Sequence, residues 1–170
     1  MVFARVMKHL SFHSHVQRPK SKDLRPKTDF PTMLGKILII DDYADNREIL
    51  RLMLEQAGYV VREAGNGRDG IDVARAEKPD VALVDLSMPG TDGWDVLTEL
   101  RADHRTAGIP CAAVSAFADG ARANALAYGF NAYLTKPFRR EELLQIVEHL
   151  LSEQRIQIEQ NEGNRQEGVL

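Results

Sequence analysis

Hydrophobic residues in this chain form five short, uninterrupted runs, separated by longer stretches in which apolar residues recur every three or four positions. A continuous rather than alternating apolar run is typical of a strand in a parallel sheet that helices cover on both faces. We therefore predict five strands, which run from Lys36 to Asp41, Val60 to Glu63, Val81 to Val84, Ile109 to Val114, and Ala132 to Leu134.

The stretches between these runs predict amphipathic helices, each with one face toward the sheet. Gly58 and Gly129 lie where glycine commonly ends a helix, and Pro79 follows the second helix. Strand and helix alternate throughout, so we predict an α/β protein with right-handed crossovers on both faces of the sheet. The predicted helices run from Ala44 to Ala57, Gly67 to Glu77, Trp94 to Arg101, Gly120 to Tyr128, and Arg140 to Ser152.

The two ends of the chain differ in composition from this alternating region. Residues 1–34 hold seven Lys and Arg against two Asp, together with three prolines, and we expect a basic leader without fixed structure. Met33 is a natural alternative start of translation just before the first strand. Polar residues predominate at the other end, so we expect a disordered tail over residues 153–170 and one folded domain over residues 35–152.

Composition limits the cellular setting. The 170 residues carry a net charge of -3 and are 44% hydrophobic, which suits one domain with a sizeable core. The single cysteine, Cys111, lies in an apolar stretch and cannot form a disulfide within the chain, so we expect a buried thiol and a cytoplasmic protein. No apolar run approaches the roughly 18 residues of a membrane span.

Acidic residues follow two of the predicted strands. Asp41 and Asp42 close the first strand, and Asp85 follows the third. If these strands are neighbours, three carboxylates meet at one edge of the sheet, which is unfavourable unless a cation neutralises them. Oxygen ligands suit Mg²⁺ or Mn²⁺. Lys136, after the fifth strand, would bring an ammonium group to the same edge, and these groups together are suited to phosphoryl chemistry.

A glycine motif offers a competing interpretation. The segment from Gly65 to Gly70 matches G-x-G-x-x-G between a strand and a helix, with Asp85 about where a dinucleotide-binding fold holds a ribose. However, the strand before it carries the charged residues Arg62 and Glu63, and the motif leaves the acid pair and the lysine unexplained. A dinucleotide-binding α/β domain is therefore the weaker alternative.

Four motifs, each at the end of a predicted strand, resemble a known family. They are Asp41-Asp42, Asp85 followed by Leu86-Ser87-Met88-Pro89-Gly90-Thr91-Asp92-Gly93, Ser115-Ala116, and Lys136-Pro137. Over residues 36 to about 151 the chain resembles the receiver domain of two-component response regulators, of the stand-alone, single-domain type seen in chemotaxis regulators. The resemblance implies a flavodoxin-like, doubly wound, five-stranded parallel sheet in the order 2-1-3-4-5, with five helices.

The resemblance implies a role for each acidic residue. Asp85 resembles the aspartate that accepts a phosphoryl group. Asp42 looks like a direct Mg²⁺ ligand, Asp41 a ligand mainly through water, and the Ser87 carbonyl a third protein ligand. Lys136 would pair with the phosphoryl oxygens from the other side.

The resemblance also implies a switch. Ser115 is expected to donate its hydroxyl to the phosphoryl group, and Tyr133 matches the family's rotating aromatic residue, which would turn inward on phosphorylation. Ala116 is small and would leave the phosphoryl donor an open approach. Pro137 resembles the family's cis proline, which would aim Lys136 at the site.

The resemblance further implies that two positions tune the lifetime of the phosphoryl group, namely the residues two past the acceptor and two past the serine. Here these are Ser87 and Phe117. Phe117 has no acceptor to orient a hydrolytic water and is bulky enough to shield the phosphoryl group, while Ser87 is short and only weakly basic. We therefore expect slow dephosphorylation.

The implied function is a single-domain response regulator that takes a phosphoryl group from a histidine kinase or a histidine phosphotransfer protein. Its output would be a protein contact through the face of helix 4, strand 5 and helix 5, with no direct nucleic-acid binding. It would be no enzyme beyond its own phosphorylation and dephosphorylation. A phosphate-independent receiver-like adaptor is an alternative that the intact acids and lysine disfavour. A haloacid dehalogenase would need Asp-x-Asp, which Asp41-Asp42-Tyr43 does not provide.

Overall fold

Five parallel strands form one sheet in the order β2-β1-β3-β4-β5 in the computed structural model, which describes residues 34–117 and 120–167. The flavodoxin-like fold predicted from the sequence is confirmed. Apart from Leu34, the expected leader lies outside the described residues. The strands are β1 (Lys36–Ile40), β2 (Val60–Ala64), β3 (Val81–Asp85), β4 (Cys111–Ser115) and β5 (Ala132–Thr135).

Five helices connect and follow the strands, and most of their ends lie within two residues of the predicted ones. β4 begins at Cys111, later than the predicted Ile109, because Pro110 has no N–H to donate to the sheet and Ile109 instead donates to the Thr106 carbonyl in a turn. The helices are α1 (Ala44–Glu55), α2 (Gly67–Glu77), α3 (Gly93–Ala102), α4 (Ala121–Tyr128) and α5 (Arg140–Glu167).

The strand β1 shows why the sheet needs helices on both faces. Leu38 and Ile40 pack with residues of α2, α3 and α4, whereas Ile37 and Ile39 pack with residues of α1 and α5. All four side chains have no exposed surface. The continuous apolar run therefore reflects two cores, one on each face of the sheet.

The last helix is longer than predicted. We expected it to end at Ser152 and the residues after it to lack structure, but α5 continues to Glu167. The added segment is rich in Glu, Gln and Arg, which favour helix, and it contains no proline. His149 and Glu153, one turn apart and 3.3 Å from each other, also support the continuation. Neither α5 nor any other helix within residues 34–117 and 120–167 is both long and apolar enough to cross a membrane.

Aromatic residues join α3 to the C-terminal end of α4. The Trp94 ring lies edge-on to the Tyr128 ring, with 4.9 Å between the ring centroids, and contacts Phe130 in the same way at 5.8 Å. The hydroxyl groups of Thr98 and Tyr128 share a hydrogen bond of 2.9 Å. The two helices are thus connected by both ring packing and a polar contact.

The only cysteine is buried, as predicted. Cys111 has no exposed surface, and burial raises the pKa of its thiol to about 11. Its side chain donates a hydrogen bond to the Ile109 carbonyl. The thiol is therefore a core group that stays protonated at neutral pH.

The glycine motif is explained by packing rather than by a nucleotide. A β-carbon at Gly67 would lie 2.5 Å from the Thr91 carbonyl oxygen, and one at Gly70 would lie 2.5 Å from the Ile40 side chain. The Asn66 side chain accepts a hydrogen bond from the Asp69 amide and caps α2. The motif is a capped helix start pressed against its neighbours, which removes the support for a dinucleotide site.

The variant Gly67→Ala should lower the free energy of unfolding by about 1–3 kcal/mol, because the new β-carbon meets a main-chain oxygen that cannot move aside easily. Urea unfolding followed by circular dichroism measures the change. Gly108→Ala is the matched control, since no atom of the described residues beyond its two chain neighbours lies within 4 Å of the added carbon. Equal losses in the two variants would contradict the packing explanation.

Candidate functional site

Three carboxylates meet at one edge of the sheet. Because β1 pairs with β3 and Ile40 lies opposite Val84, the residues that follow each strand emerge side by side. One oxygen from each of Asp41, Asp42 and Asp85 lies within 4.8 Å of the others. The structure therefore brings together the three acids that the sequence placed at strand ends.

The main chain at the acceptor position is held by close packing. Asp85 ends β3, and Gly93 at the start of α3 lies directly against its carbonyl group, where a β-carbon would overlap. The Ser87 amide donates a hydrogen bond of 3.1 Å to Asp85 Oδ1. Ser87 itself is exposed, so its main chain lies beside the acid while its side chain faces outward.

The Asp41 carboxylate is buried and surrounded by donors. Its Oδ1 accepts from the Tyr43 amide at 2.9 Å, and the Asn46 amide group contacts both carboxylate oxygens at 3.3 and 3.2 Å. Its Oδ2 accepts from Lys136 Nζ at 2.7 Å. Protein groups therefore fix the direction of this carboxylate.

Lys136 bridges two of the acids. Its ammonium group donates to Asp41 at 2.7 Å and to Asp85 at 3.1 Å, while its main-chain amide donates to the Ser115 carbonyl at 2.7 Å. Burial alone would lower the pKa of Lys136, but the hydrogen bonds and charges of the two aspartates outweigh it and raise the pKa above its usual range. The lysine is therefore charged at neutral pH. The predicted cis bond before Pro137 is present.

Asp42 differs from the other two acids because its buried Oδ1 has no hydrogen-bond partner among the described residues. An unpartnered buried oxygen is costly unless another group binds it. This oxygen lies beside two further carboxylates, and oxygen-only ligation is the chemistry that Mg²⁺ and Mn²⁺ prefer. The residues present therefore fit a hard divalent cation.

Ser115 and Tyr133 both contact the main chain of Phe117. The Phe117 amide donates to Ser115 Oγ at 3.2 Å, and the Tyr133 hydroxyl donates to the Phe117 carbonyl. Ser115 and Tyr133 are buried, whereas the Phe117 side chain is 63% exposed. The Tyr133 ring is thus already turned inward. The family resemblance led us to expect this orientation only after phosphorylation.

An apolar recess of about 430 Å³ opens next to Lys136. It lies between α1 and the segment that leads into α5, and exposed Ala116 contributes to its wall. The small side chain at position 116 leaves this side of the site accessible. The lining residues are Asn46, Ile49, Leu50, Met53, Ala116, Lys136, Pro137 and Phe138.

Two residues that contact the acid pair were not predicted from the sequence. Asn46 binds the Asp41 carboxylate, and Arg47 donates from its guanidinium to the Asp41 carbonyl at 2.7 Å. Both lie in the first turn of α1, directly after the acids. Their place in that turn was the available signal, because the first turn of the helix after β1 stays close to the end of the strand.

Comparison with known proteins tests the family resemblance independently of the site geometry. A family model described as the response regulator receiver domain matches residues 37–148. The chain is 38% identical over 120 residues to protein PilH of Pseudomonas aeruginosa, a match that covers 70% of this chain and 99% of PilH.

Two solved structures are similar in fold. The receiver domain of the sensor histidine kinase PA1611 of Pseudomonas aeruginosa, which holds a magnesium ion in its active-site cleft, is 33% identical with a TM-score of 0.65. The chemotaxis protein CheY4 of Vibrio cholerae is 27% identical with a TM-score of 0.65. Each match covers 69% of this chain and 98% of the matched receiver or chemotaxis protein.

The variant Lys136→Met should be less stable than the natural chain by about 3 kcal/mol in the presence of a chelator, because two buried carboxylates lose their cationic partner. Added Mg²⁺ should raise the melting temperature of the variant more than that of the natural chain, since the ion no longer competes with the ammonium group.

The control is Lys36→Met, because Lys36 pairs with Glu77 at 3.0 Å and begins β1, at the end away from the acids. It should respond to Mg²⁺ as the natural chain does. The same Mg²⁺ response in both variants would show that Lys136 does not balance the acid cluster.

Proposed function

This chain belongs to the family of response regulator receiver domains, and on that premise we propose that it is a single-domain response regulator that accepts a phosphoryl group on Asp85. The donor is the phosphohistidine of a histidine kinase or of a histidine phosphotransfer protein. The observation that carries the proposal is the meeting of Asp41, Asp42 and Asp85 within 4.8 Å, with Lys136 bound to two of them.

The transfer step requires a positioned nucleophile and a way to balance charge. A carboxylate oxygen of Asp85 attacks the phosphorus, a P–O bond forms, and the P–N bond to the donor imidazole breaks, with its electron pair leaving on the imidazole. Lys136 is charged and within reach of Asp85 Oδ2, so it is suited to pair with the phosphoryl oxygens. Ser115 Oγ accepts from the Phe117 amide and keeps its own proton to donate.

Asp41, Asp42, Asp85 and the Ser87 carbonyl are the proposed residues for holding Mg²⁺ or Mn²⁺. A bound divalent cation would offset the negative charge of the attacking carboxylate and of the transferred group. The unpartnered Asp42 oxygen supports a direct ligand role, whereas the four donor contacts to Asp41 support a role mainly through water. The PA1611 receiver domain, whose structure holds magnesium, supports the choice of metal.

The apolar recess beside Lys136 is the proposed approach for the donor. Its α1 wall presents Ile49 and Met53, with Phe138 from the opposite side, and it opens next to the lysine. A helix of the donor that packs on these side chains would bring its histidine close to Asp85. Small Ala116 keeps this approach open.

The proposed output is a change on the face of α4, β5 and α5. Ser115 would move toward the phosphoryl group, and Tyr133 on β5 would respond because both contact the main chain of Phe117. The effector that reads this face would be a protein. Beyond its own phosphorylation and dephosphorylation, the proposed function includes no catalysis.

A small phosphodonor with Mg²⁺ should label the natural chain once, on Asp85, and Asp85→Asn should abolish the labelling, because an amide is a poor nucleophile. Intact mass spectrometry measures the label, and a chelator should prevent it in the natural chain. Asp92→Asn is the matched control, since Asp92 caps α3 and asparagine caps helices equally well. Undiminished labelling of Asp85→Asn would refute the assignment.

Loss of the phosphoryl group should be slow in the natural chain and faster in the double variant Ser87→Asn with Phe117→Glu. The exposed Phe117 side chain can shield the phosphoryl group but cannot orient a water, whereas glutamate can accept a proton from it. The measurement follows the labelled fraction over time after the phosphodonor is removed. Phe117→Leu, which stays apolar, should remain slow, and an equal rate in all three proteins would exclude control by water access.

A further inference from the structure

Arg47 connects the acid pair to a series of ion pairs between charged residues of α1 and β2. Its Nη1 donates to the Asp41 carbonyl at 2.7 Å, and its Nε lies 3.7 Å from Glu63 on β2. Glu63 also pairs with Arg51 at 3.2 Å, and Arg51 pairs with Glu55 at 3.1 Å. Among these four residues, Arg47 is the one whose side chain donates a hydrogen bond to the main chain of the acid pair.

The contact lies where the sheet ends. The Asp41 amide donates to the Ala64 carbonyl at 3.2 Å, which continues the pairing between β1 and β2 by one residue. β2 then turns into the loop at Gly65, and the Asp41 carbonyl accepts from Arg47. A β-carbon at Gly65 would lie 3.4 Å from Arg47 Nη1, so the guanidinium passes close to this loop. Arg47 thus supplies the donor for the Asp41 carbonyl, one residue beyond the end of β1.

The Asp41 carbonyl belongs to the peptide group that joins Asp41 to Asp42. Fixing this peptide plane fixes the direction in which the Asp42 main chain leaves the strand. The Asp41 side chain has donors of its own, but Asp42 Oδ1 has no hydrogen-bond partner among the described residues. No hydrogen bond to Oδ1 holds the Asp42 carboxylate, so its position follows from the surrounding packing and from the Asp42 main chain, which the Arg47 contact helps to fix.

We propose that Arg47 is a positioning residue that holds the peptide between Asp41 and Asp42 and thereby aims the Asp42 carboxylate at the divalent cation. The role rests on the proposed function, because it serves the metal site of that function. Glu63 keeps the guanidinium in place from the other side. Arg47 itself contacts neither the metal nor the phosphoryl group.

Charge and position predict opposite effects of losing Arg47. If the guanidinium acted only as a nearby positive charge, its removal would tighten the binding of a divalent cation, because a repulsion would be lost. If it holds the peptide, its removal weakens binding, because the Asp42 oxygen is no longer aimed. Residues that orient metal ligands typically contribute about 10- to 100-fold in metal affinity.

Calorimetric titration of the full chain with Mg²⁺ tests the proposal. Arg47→Met should bind Mg²⁺ roughly tenfold more weakly than the natural chain. Arg51→Met is the matched control: it removes a positive charge and a Glu63 partner but leaves the Asp41 carbonyl bonded, so it should bind at least as tightly as the natural chain. Arg47→Lys, which keeps a charge and a donor, should recover most of the affinity.

Hydrogen exchange in the presence of a chelator gives a second readout that needs no metal. The Tyr43 amide donates to Asp41 Oδ1 at 2.9 Å and reports the order of this turn. It should exchange faster in Arg47→Met than in Arg51→Met, while amides in the buried strand β1 stay equally protected, which also shows that the variant is folded.

The outcomes separate the two proposals. Suppose that the natural chain binds Mg²⁺ and accepts a phosphoryl group, and that Arg47→Met binds Mg²⁺ as tightly or more tightly. This result would overturn only the role of Arg47. Unchanged exchange at Tyr43 would overturn it as well. Failure of the natural chain both to bind Mg²⁺ and to become phosphorylated would instead overturn the proposed function, and the role of Arg47 with it.

Discussion

Mutual repulsion of three carboxylates is the constraint on which the rest of the site depends. Two like charges about 4 Å apart repel by roughly 4 kcal/mol at an effective dielectric constant of about 20, which is a large part of the 5–15 kcal/mol that stabilises a typical domain. The sheet order makes the repulsion unavoidable, because β1 and β3 are neighbours, Asp41 and Asp42 follow β1 directly, and Asp85 ends β3. Lys136 offsets part of it, and the two packed faces of the sheet keep the acids from moving apart.

The sequence predicts the repeating strands and helices and the residues that lie at the carboxyl ends of the strands. The run from Ile37 to Ile40 has no exposed surface, so its unbroken apolar pattern was a reliable sign of a doubly covered strand. The acids and Lys136 were also predictable, because a residue at the carboxyl end of a parallel strand has only one edge on which to lie. The order of the strands, in contrast, came from the resemblance of the motifs to a family and not from periodicity.

Other features were not predicted, each for a specific physical reason. The extension of α5 beyond Ser152 has no apolar stripe that a periodicity analysis can detect, and it rests instead on residues with high intrinsic helix propensity. The contacts of Asn46 and Arg47 with Asp41 depend on side-chain direction at the first turn of α1, which residue spacing does not give. At position 117 the main chain joins Ser115 to Tyr133 while the phenyl ring is largely exposed, a division between main chain and side chain that residue spacing does not give.

The contact between Trp94 and Tyr128 has a practical consequence. Trp94 is the only tryptophan in the chain, and its ring lies edge-on to a ring near the end of α4, a helix of the proposed output face. Indole emission depends on the polarity and the quenching groups around the ring, so we expect a displacement of Tyr128 relative to Trp94 to change the fluorescence of this protein. If phosphorylation displaces α4 as proposed, Trp94 therefore reports that displacement without an attached dye.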